Sequence, residues 1–198
     1  MHRFSLHTLP AQPWKNGGGI TREIAMIPNG ASLTDFTWRV SVAEIAQAGP
    51  FSAFPGIDRQ ILLLAGAGVR LQAAADGMET IDHRLDEPLV PFAFAGEAAI
   101  EATLLDGPSQ DLNVMTRRGV VRSEVQVARK GLQVAACEGL VLLAVQGRWE
   151  SAGPEPLRLE AGEGVVLPEG TAGLRMEADE AGGALVVVRI VPIVRILR

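Results

Sequence analysis

The chain has 198 residues, a formal net charge of −5 and a hydrophobic fraction of 47%. These values describe a folded globular protein of one domain, or of two small halves that share an interface, and they exclude a disordered chain. The acidic balance argues against a nucleic-acid-binding protein, which normally has a basic face. A single cysteine, Cys137, excludes an internal disulfide and a cysteine-rich zinc site, and only three histidines argue against a histidine-built metal centre.

The ends of the chain carry no membrane signal. The first twelve residues have no apolar core of signal-peptide length. The longest apolar run, residues 184–197, is interrupted by Arg189, Pro192 and Arg195 and is too short to span a bilayer. We therefore expect a cytoplasmic protein that binds neither a membrane nor nucleic acid.

Strand-like segments recur along the whole chain, separated by Gly, Pro, Asp and Asn. No window of eleven residues has a helical apolar period that is free of Gly and Pro. In chain order, the predicted strands are residues 21–27, 36–42, 59–66, 88–94, 99–105, 111–115, 120–127, 140–150, 165–168 and 184–191. With 22 Gly and 12 Pro, the pattern predicts an all-β barrel or sandwich.

A faint internal repeat links the two halves of the chain. Residues 61–71 align with residues 140–150 at an offset of 79, which matches Gly68 to Gly147. The alignment indicates either a duplicated unit or two β-hairpins that are alike in composition.

The second copy continues into residues 162–170, where Gly162, Pro168 and Gly170 form a G-x5-P-x-G pattern. This spacing resembles the second conserved motif of cupins, which are small double-sheet β-barrels. In metal-binding cupins a histidine follows the last glycine of this pattern after two intervening residues, and that position here is Gly173. A weaker copy at residues 91–98 is followed by Ala99. The resemblance therefore implies two cupin halves, a bicupin, without metal ligands.

The first polar cluster is residues 13–24, which contain three consecutive glycines. Ordering them is costly, so the loop needs positive φ angles or a close backbone approach. Its N–H groups would form an anion-binding nest beside Lys15, or the loop is a flexible turn between strands. Trp14 is either a core anchor or a pocket wall.

The second cluster is the predicted strand at 36–42, whose side chains alternate in polarity. Its polar face, which includes Arg39 and Ser41, is either solvated or lines a ligand cavity of a small barrel. The third is the loop at 49–60, which leads to Arg59. The Arg59 guanidinium would hold a carboxylate ligand with two hydrogen bonds, or pair with Asp58.

The fourth cluster is the segment 110–118. Alternation places Asp111, Asn113, Met115 and Arg117 on one side, which is either a solvated face or part of a site. A carboxylate pair is possible among Glu23, Asp58 and Asp111. Cys137 lies among small residues, which favours buried packing, and His83 lies in a turn-like segment.

Three blocks, residues 13–24, 38–68 and 111–119, resemble the HutD/Ves family of bacterial accessory proteins encoded with histidine-utilisation enzymes. They stand in the family's order and spacing. The resemblance implies a two-cupin fold, a homodimer and no metal centre or other cofactor. It also implies a role in histidine catabolism, with N-formylglutamate or urocanate as the class of small organic anion that is bound.

The resemblance places the pocket in an N-terminal half, residues 1–119. Residues 120–198 would be a structural or dimerisation half, and an exchange of strands between the halves stays open. Combined with their polarity, the blocks give these ligand-binding candidates: Trp14, Lys15, Asn16, Thr21, Glu23, Arg39, Ser41, Ser52, Arg59, Asp111 and Asn113.

The sequence favours a metal-independent protein that binds a carboxylate or formamido acid. Lys15 with Arg39 or Arg59 would neutralise the ligand's carboxylate, and the Asn16 and Asn113 amides would bond its amide or formyl group. The alternative is a metal-free hydrolase or isomerase with Glu23 or Asp111 as general base. A protein-interaction module with a vestigial pocket is the third possibility.

Overall fold

The fold was analysed in a computed structural model. It describes residues 1–74, 80–135, 137–153, 155–167, 169–170, 174–179 and 182–193. Every regular element in these ranges is a β-strand, so the all-β prediction is confirmed. No helix in the described ranges is long and apolar enough to cross a membrane.

The strands are short and closely spaced, as the frequent Gly and Pro residues predict. The first ten are His2–Ser5 (β1), Ala11–Pro13 (β2), Gly19–Ile27 (β3), Trp38–Ile45 (β4), Gly49–Pro50 (β5), Ile57–Gly66 (β6), Val69–Ala73 (β7), Ile81–Leu85 (β8), Phe92–Ala95 (β9) and Glu101–Leu104 (β10). The others are Ser109–Arg117 (β11), Val121–Ala128 (β12), Leu132–Val134 (β13), Gly139–Gln146 (β14), Trp149–Ser151 (β15), Arg158–Leu159 (β16), Glu163–Leu167 (β17), Leu174–Ala178 (β18) and Ala184–Pro192 (β19).

The chain divides into two compact units. One consists of residues 10–120 and is called the 10–120 unit. The other, called the 121–198 unit, also includes residues 1–9, because β1 pairs with β17. The predicted halves, 1–119 and 120–198, assign these first nine residues to the other side of the boundary.

The 10–120 unit consists of two antiparallel sheets, in the orders β2-β3-β4-β11-β6-β9 and β5-β10-β7-β8. Its apolar core lies between the sheets, since it combines Ile61 and Leu63 of β6 with Val69 and Leu71 of β7. Alternating side chains of each strand therefore project into this core.

The 121–198 unit also consists of two antiparallel sheets, in the orders β1-β17-β14-β19-β12 and β13-β18-β15-β16. Its core is apolar and includes Leu142, Val187, Leu159 and Trp149, the last of which is fully buried. The Trp149 indole donates its N–H to the Gln146 carbonyl, so the largest buried side chain of this core is also satisfied.

Strand order repeats between the units with an offset of eight strands. In the first unit β4-β11-β6-β9 and β5-β10-β7-β8 are neighbours, and in the second β12-β19-β14-β17 and β13-β18-β15-β16 are neighbours. The hairpins β6–β7 and β14–β15 occupy equivalent places in this order, and they turn at Gly68 and Gly147, whose φ angles are +90° and +71°. The residue alignment at an offset of 79 therefore matches equivalent hairpins.

Some local predictions are wrong. The predicted strand 140–150 is two strands, because Gly147 turns the chain between β14 and β15. His83 lies in a strand, β8, and not in a turn. The strand was not predicted because the charged residues Asp82 and Arg84 make the segment resemble a polar turn. Both are exposed on the outer face of β8, where Asp82 pairs with Arg70 of β7.

Candidate functional site

Buried polar side chains are concentrated in one unit. Among the described residues the buried polar or charged ones are Arg39, Ser41, Arg59, Ser109, Asp111, Asn113, Thr116 and Ser151. All of them except Ser151 belong to the 10–120 unit. Because burial of unpaired polar groups costs free energy, this concentration marks the part of the molecule that needs a functional explanation.

Most of these side chains share one face of the large sheet. In β11, Asn113 pairs with Ser41 of β4 and with Ile61 of β6. Directly paired residues of antiparallel strands project to the same side, and Ile61 belongs to the core between the sheets. Glu23 of β3 continues the row, because it pairs with Ser41.

We call this set the polar face, and it consists of Glu23, Arg39, Ser41, Arg59, Asp111 and Asn113. The sequence left open whether the polar side of β4 is solvated. In the structure it is buried, with Arg39 and Ser41 at 7% and 2% exposure. The apolar side of β4 is buried as well, so neither face of this strand is a solvent face.

Arg59 is the most constrained cation of the polar face. It is 5% exposed, and its Nη2 donates a hydrogen bond to Asn113 Oδ1 at 2.7 Å. Its Nη1 lies 3.4 Å from the Ser52 carbonyl oxygen, a long hydrogen bond. The rings of Phe51, Phe54 and Phe94 surround the guanidinium carbon at 5.5, 5.6 and 4.8 Å. These contacts fix the guanidinium plane and exclude water from its faces.

Arg59 has no carboxylate partner within ion-pair distance among the described residues, although Asn113 and Ser52 accept hydrogen bonds from it. Its Nε is buried and has no hydrogen-bond acceptor. Burial, and secondarily the charge of Arg39, lower the pKa of Arg59 to about 10. The side chain is therefore still a cation at neutral pH, and its charge is not compensated by a neighbouring carboxylate. An anion is the group that this arrangement lacks.

Arg39, in contrast, has a carboxylate partner. Its Nε donates to Glu23 Oε2 at 3.0 Å, and the Glu23 side chain is 30% exposed. The ion pair holds the Arg39 guanidinium on the polar face. Its charge is compensated by Glu23, whereas that of Arg59 is not. The face therefore keeps a net positive charge while Asp111 is protonated.

Asp111 is the buried acid of the polar face, with 0% exposure. The Ser109 hydroxyl donates to its Oδ1 at 3.0 Å, whereas its Oδ2 is buried without a partner. Burial raises the pKa of Asp111 to about 7, and the Ser109 hydrogen bond offsets only part of this effect. The carboxyl group therefore changes its charge close to neutral pH.

The three-glycine loop is a tight turn between β2 and β3. The Gly17 N–H donates to the Trp14 carbonyl, and the Gly18 N–H donates to Asn16 Oδ1, both at 3.0 Å. Two of the three glycine amides are thus used inside the loop, which argues against the anion-binding nest. The Trp14 indole donates to Thr21 Oγ1 at 2.7 Å, and its ring packs edge-on against Phe51. The loop therefore anchors Trp14 to the core.

Gly19 is required by close packing. A Cβ at this position would lie 2.3 Å from the Glu44 carbonyl oxygen, whereas a Cβ at Gly17 would meet nothing within 4 Å. We expect Gly19→Ala to lower the free energy of unfolding by about 3 kcal/mol, because the backbone of β4 must move. Gly17→Ala should cost only about 1 kcal/mol, the strain of its φ of +70°. Urea unfolding of both variants tests this, and equal losses would contradict it.

The loop that carries Phe54 is held by an ion cluster on the outside of the unit. Glu97 accepts hydrogen bonds from the Gly56 N–H at 2.8 Å and from Arg118 at 2.8 and 2.9 Å, and Arg118 also donates to Asp58 at 2.7 Å. These hydrogen bonds lower the pKa of Glu97 to about 2, with Arg118 the main cause. The cluster also explains why Asp58 is not the partner of Arg59.

The predicted site residues separate into two groups. The polar face brings six of them together, as defined above. Trp14 and Thr21 bond each other at the edge of the core, while Lys15, Asn16 and Ser52 are exposed. Ser52 contacts Arg59 through its backbone carbonyl oxygen, and the Asn16 side chain accepts a hydrogen bond from Gly18 inside its own turn. Neither side chain therefore belongs to the polar face.

The sequence did not predict the three phenylalanine rings around Arg59 or the serine that donates a hydrogen bond to Asp111. Phe51, Phe54 and Phe94 surround Arg59, and Ser109 bonds Asp111. The sequence did contain one indication of these aromatic contacts, because Phe51 and Phe54 belong to the same 49–60 loop as Arg59. Cys137 is half-buried against the core of the 121–198 unit and donates its S–H to the Gly139 carbonyl.

The polar face does not fit a divalent cation. Within the described ranges, no three His, Cys, Asp or Glu side chains are grouped as metal ligands. Two buried guanidinium groups would repel a cation, and Glu23 is already paired with one of them. Of the predicted cupin motif, Ala99 is exposed, and Pro168 and Gly173 lie outside the described residues.

A depression on the 121–198 unit is lined by Gly147, Arg148, Glu160, Ala161 and Asp179. Its charges are already paired, because Arg148 lies 2.6 Å from Glu160 and 3.5 Å from Asp179. It therefore lacks the uncompensated charge that distinguishes the polar face.

The fold is shared with distant proteins of solved structure. An oxalate decarboxylase from Lactobacillus farciminis is 10% identical, with a TM-score of 0.67 over 96% of this chain and 86% of that one. At this identity the likeness concerns the fold alone, which is cupin-like.

Nearer relatives give the family. Protein Ves of Citrobacter koseri is 37% identical over 181 residues, which are 91% of this chain and 90% of that protein. A conserved protein of unknown function from Pseudomonas aeruginosa is 31% identical, with a TM-score of 0.81 over 96% of this chain and 98% of that one. HutD of Pseudomonas fluorescens is 27% identical, with a TM-score of 0.78 over 98% and 99%. The HutD family profile matches residues 6–186. The chain therefore belongs to the HutD family, as its resemblance to HutD/Ves proteins predicts.

Proposed function

We propose that this chain is a metal-independent binding protein for a small carboxylate-bearing acid. The observation that carries the proposal is Arg59, a buried cation whose Nε has no acceptor and which has no carboxylate partner among the described residues. A buried charge without a partner costs several kcal/mol, so a bound anion would relieve this cost. The formamido acids predicted from the sequence belong to this class of ligand.

The geometry of Arg59 suits a carboxylate. Elsewhere in the same unit, Arg70 holds Asp82 through its Nε and Nη2, both at 2.7 Å. A ligand carboxylate would use the Nε edge of Arg59 in the same way, while Asn113 and the three phenylalanine rings keep the guanidinium in place. Arg39 lies on the same face, where its ion pair with Glu23 leaves Arg59 as the arginine without a carboxylate partner among the described residues.

Membership of the HutD family supports a proposal for the cellular role of this binding. The family's association with histidine utilisation supports an accessory or regulatory role in histidine catabolism, with N-formylglutamate or urocanate as the ligand class. We further propose a cytoplasmic homodimer, and two cupin-like halves on the basis of the repeated strand order.

Calorimetric titration of the wild-type protein tests the proposal. N-formylglutamate, urocanate and formate are each titrated at pH 7, and we expect one site per chain for at least one of the three. Glycerol, which has no charge, serves as the negative control. If none of the three acids binds, the proposal is wrong.

Asp111 also favours a second candidate, a metal-free hydrolase or isomerase. A buried carboxyl group with a pKa of about 7 is suited to proton transfer at neutral pH. Glu23, the other candidate base, already accepts a hydrogen bond from Arg39. Turnover of N-formylglutamate or urocanate, followed by NMR and lost in Asp111→Asn, would favour the enzyme over the binding protein.

A further inference from the structure

Asp111 has an unused hydrogen-bonding atom on the same face as Arg59. Its Oδ2 is buried and unpartnered, while its Oδ1 accepts the Ser109 hydroxyl. A buried acceptor without a donor is costly, so its retention in the core points to a donor that is supplied from outside the chain.

The alternation along β11 places this acceptor on the same face of the sheet as the predicted carboxylate position. Asn113, which bonds Arg59, and Asp111 are two residues apart on one face of the strand, so their Cα atoms are about 7 Å apart. The two unsatisfied groups, a donor at Arg59 Nε and an acceptor at Asp111 Oδ2, therefore belong to the same face of the sheet, and along β11 Asn113 stands between Asp111 and Met115, the residue that Arg59 pairs with.

The surroundings of Asp111 leave few other donors. Its cross-strand neighbours are Ala43 of β4 and Leu63 of β6, which are apolar. The facing sheet contributes buried apolar side chains to this core, and its inward titratable group is His83, whose ring stacks on Phe92 at 3.8 Å. The other charged side chains that the described strands place on this side of the large sheet are Glu23, Arg39, Arg59 and Arg117, and none of them donates a hydrogen bond to Asp111.

We propose that Asp111 accepts a hydrogen bond from an N–H group of the ligand whose carboxylate lies on Arg59. The ligand class is then narrower than carboxylates in general. It consists of acids that carry an N–H donor in addition to the carboxylate. This inference rests on the proposed function, because it assumes that Arg59 holds the carboxylate end.

A matched pair of ligands isolates the N–H group. In 4-acetamidobutyrate and 4-acetoxybutyrate three methylene groups separate the carboxylate from an amide N–H or from an ester oxygen. We expect the wild-type protein to bind the amide at least about tenfold more tightly than the ester. The ester leaves Asp111 Oδ2 without a donor and places its own oxygen against that carboxylate oxygen, which is repulsive. The titrations are run at pH 8, where Asp111 is ionised in the absence of ligand.

Variants assign the preference to Asp111. Asp111→Leu should bind both ligands equally, and Asp111→Asn, which keeps a carbonyl acceptor, should retain part of the preference. Asp106→Leu, an exposed aspartate just before β11, is the matched control and should behave as the wild type. Thermal unfolding confirms that each variant is folded, and the ligand pair on the wild type keeps the test decisive if Asp111→Leu does not fold.

The outcomes separate the inference from the proposed function. Equal affinities for amide and ester in the wild type, with both lost in Arg59→Met, overturn the inference and leave carboxylate binding intact. If Asp111→Leu still binds the amide more tightly than the ester, the inference is also overturned, because another group then accepts the hydrogen bond from the N–H. If neither ligand nor formate binds, both proposals fail.

Discussion

Asp111→Asn is expected to raise the free energy of unfolding by about 3 kcal/mol at pH 8 and to change it little at pH 4. Burial raises the pKa of Asp111 from 3.8 to about 7 in the folded chain. A carboxyl group with a raised pKa stabilises the fold fully below its unfolded pKa, and this contribution is lost as the pH rises through 7. Each pKa unit corresponds to about 1.4 kcal/mol, and local relaxation reduces the total. The neutral amide of asparagine avoids this loss.

Urea unfolding at pH 4, 6 and 8 measures the effect. Asp35→Asn is the matched control, because Asp35 also accepts a serine hydroxyl, from Ser32 at 2.6 Å, but is exposed. Its free energy of unfolding should change by less than about 0.5 kcal/mol at each pH. Parallel pH profiles for the wild type and Asp111→Asn would show that the buried carboxylate is already compensated, and would remove the basis for an external donor.

The class of fold was predictable because it depends on local patterns. Short strands punctuated by glycine and proline identify an all-β chain, and the match of Gly68 to Gly147 identifies two equivalent hairpins. Strands whose exposed face is charged, such as β8, were missed, since alternation of Asp82 and Arg84 with Ile81 and Leu85 resembles a polar turn in the sequence.

The composition of the site was only partly predictable, because its contacts are non-local. Arg59 and Asn113 are 54 residues apart in sequence, and only the register of β6 on β11 brings them together. The segment around Asp111 looks like a solvated stripe until both faces of β11 are known to be buried. Lys15 and Asn16 lie in a specific motif, yet that motif is explained by the tight packing of Gly19.

Arg59→Met is expected to weaken binding of a carboxylate ligand by at least about thirtyfold. Removal of one partner of a buried, hydrogen-bonded charge pair costs about 2–5 kcal/mol of binding free energy. Arg59→Lys keeps the charge but not the planar fork that Arg70 uses on Asp82, so it should fall between the wild type and Arg59→Met. Arg70→Met, an exposed arginine that already has its partner, is the control and should bind as the wild type.

Stability distinguishes a binding role of Arg59 from a structural one. Without ligand, Arg59→Met should be at least as stable as the wild type, because methionine removes a buried cation that has no carboxylate partner. With ligand at a hundred times its Kd, the wild type should gain about 2.7 kcal/mol and the variant far less. A ligand-free Arg59→Met that unfolds several degrees below the wild type would instead show that the hydrogen bond to Asn113 and the three aromatic contacts already compensate the buried charge. Arg59 would then be a core residue, and its free Nε would no longer indicate an anion.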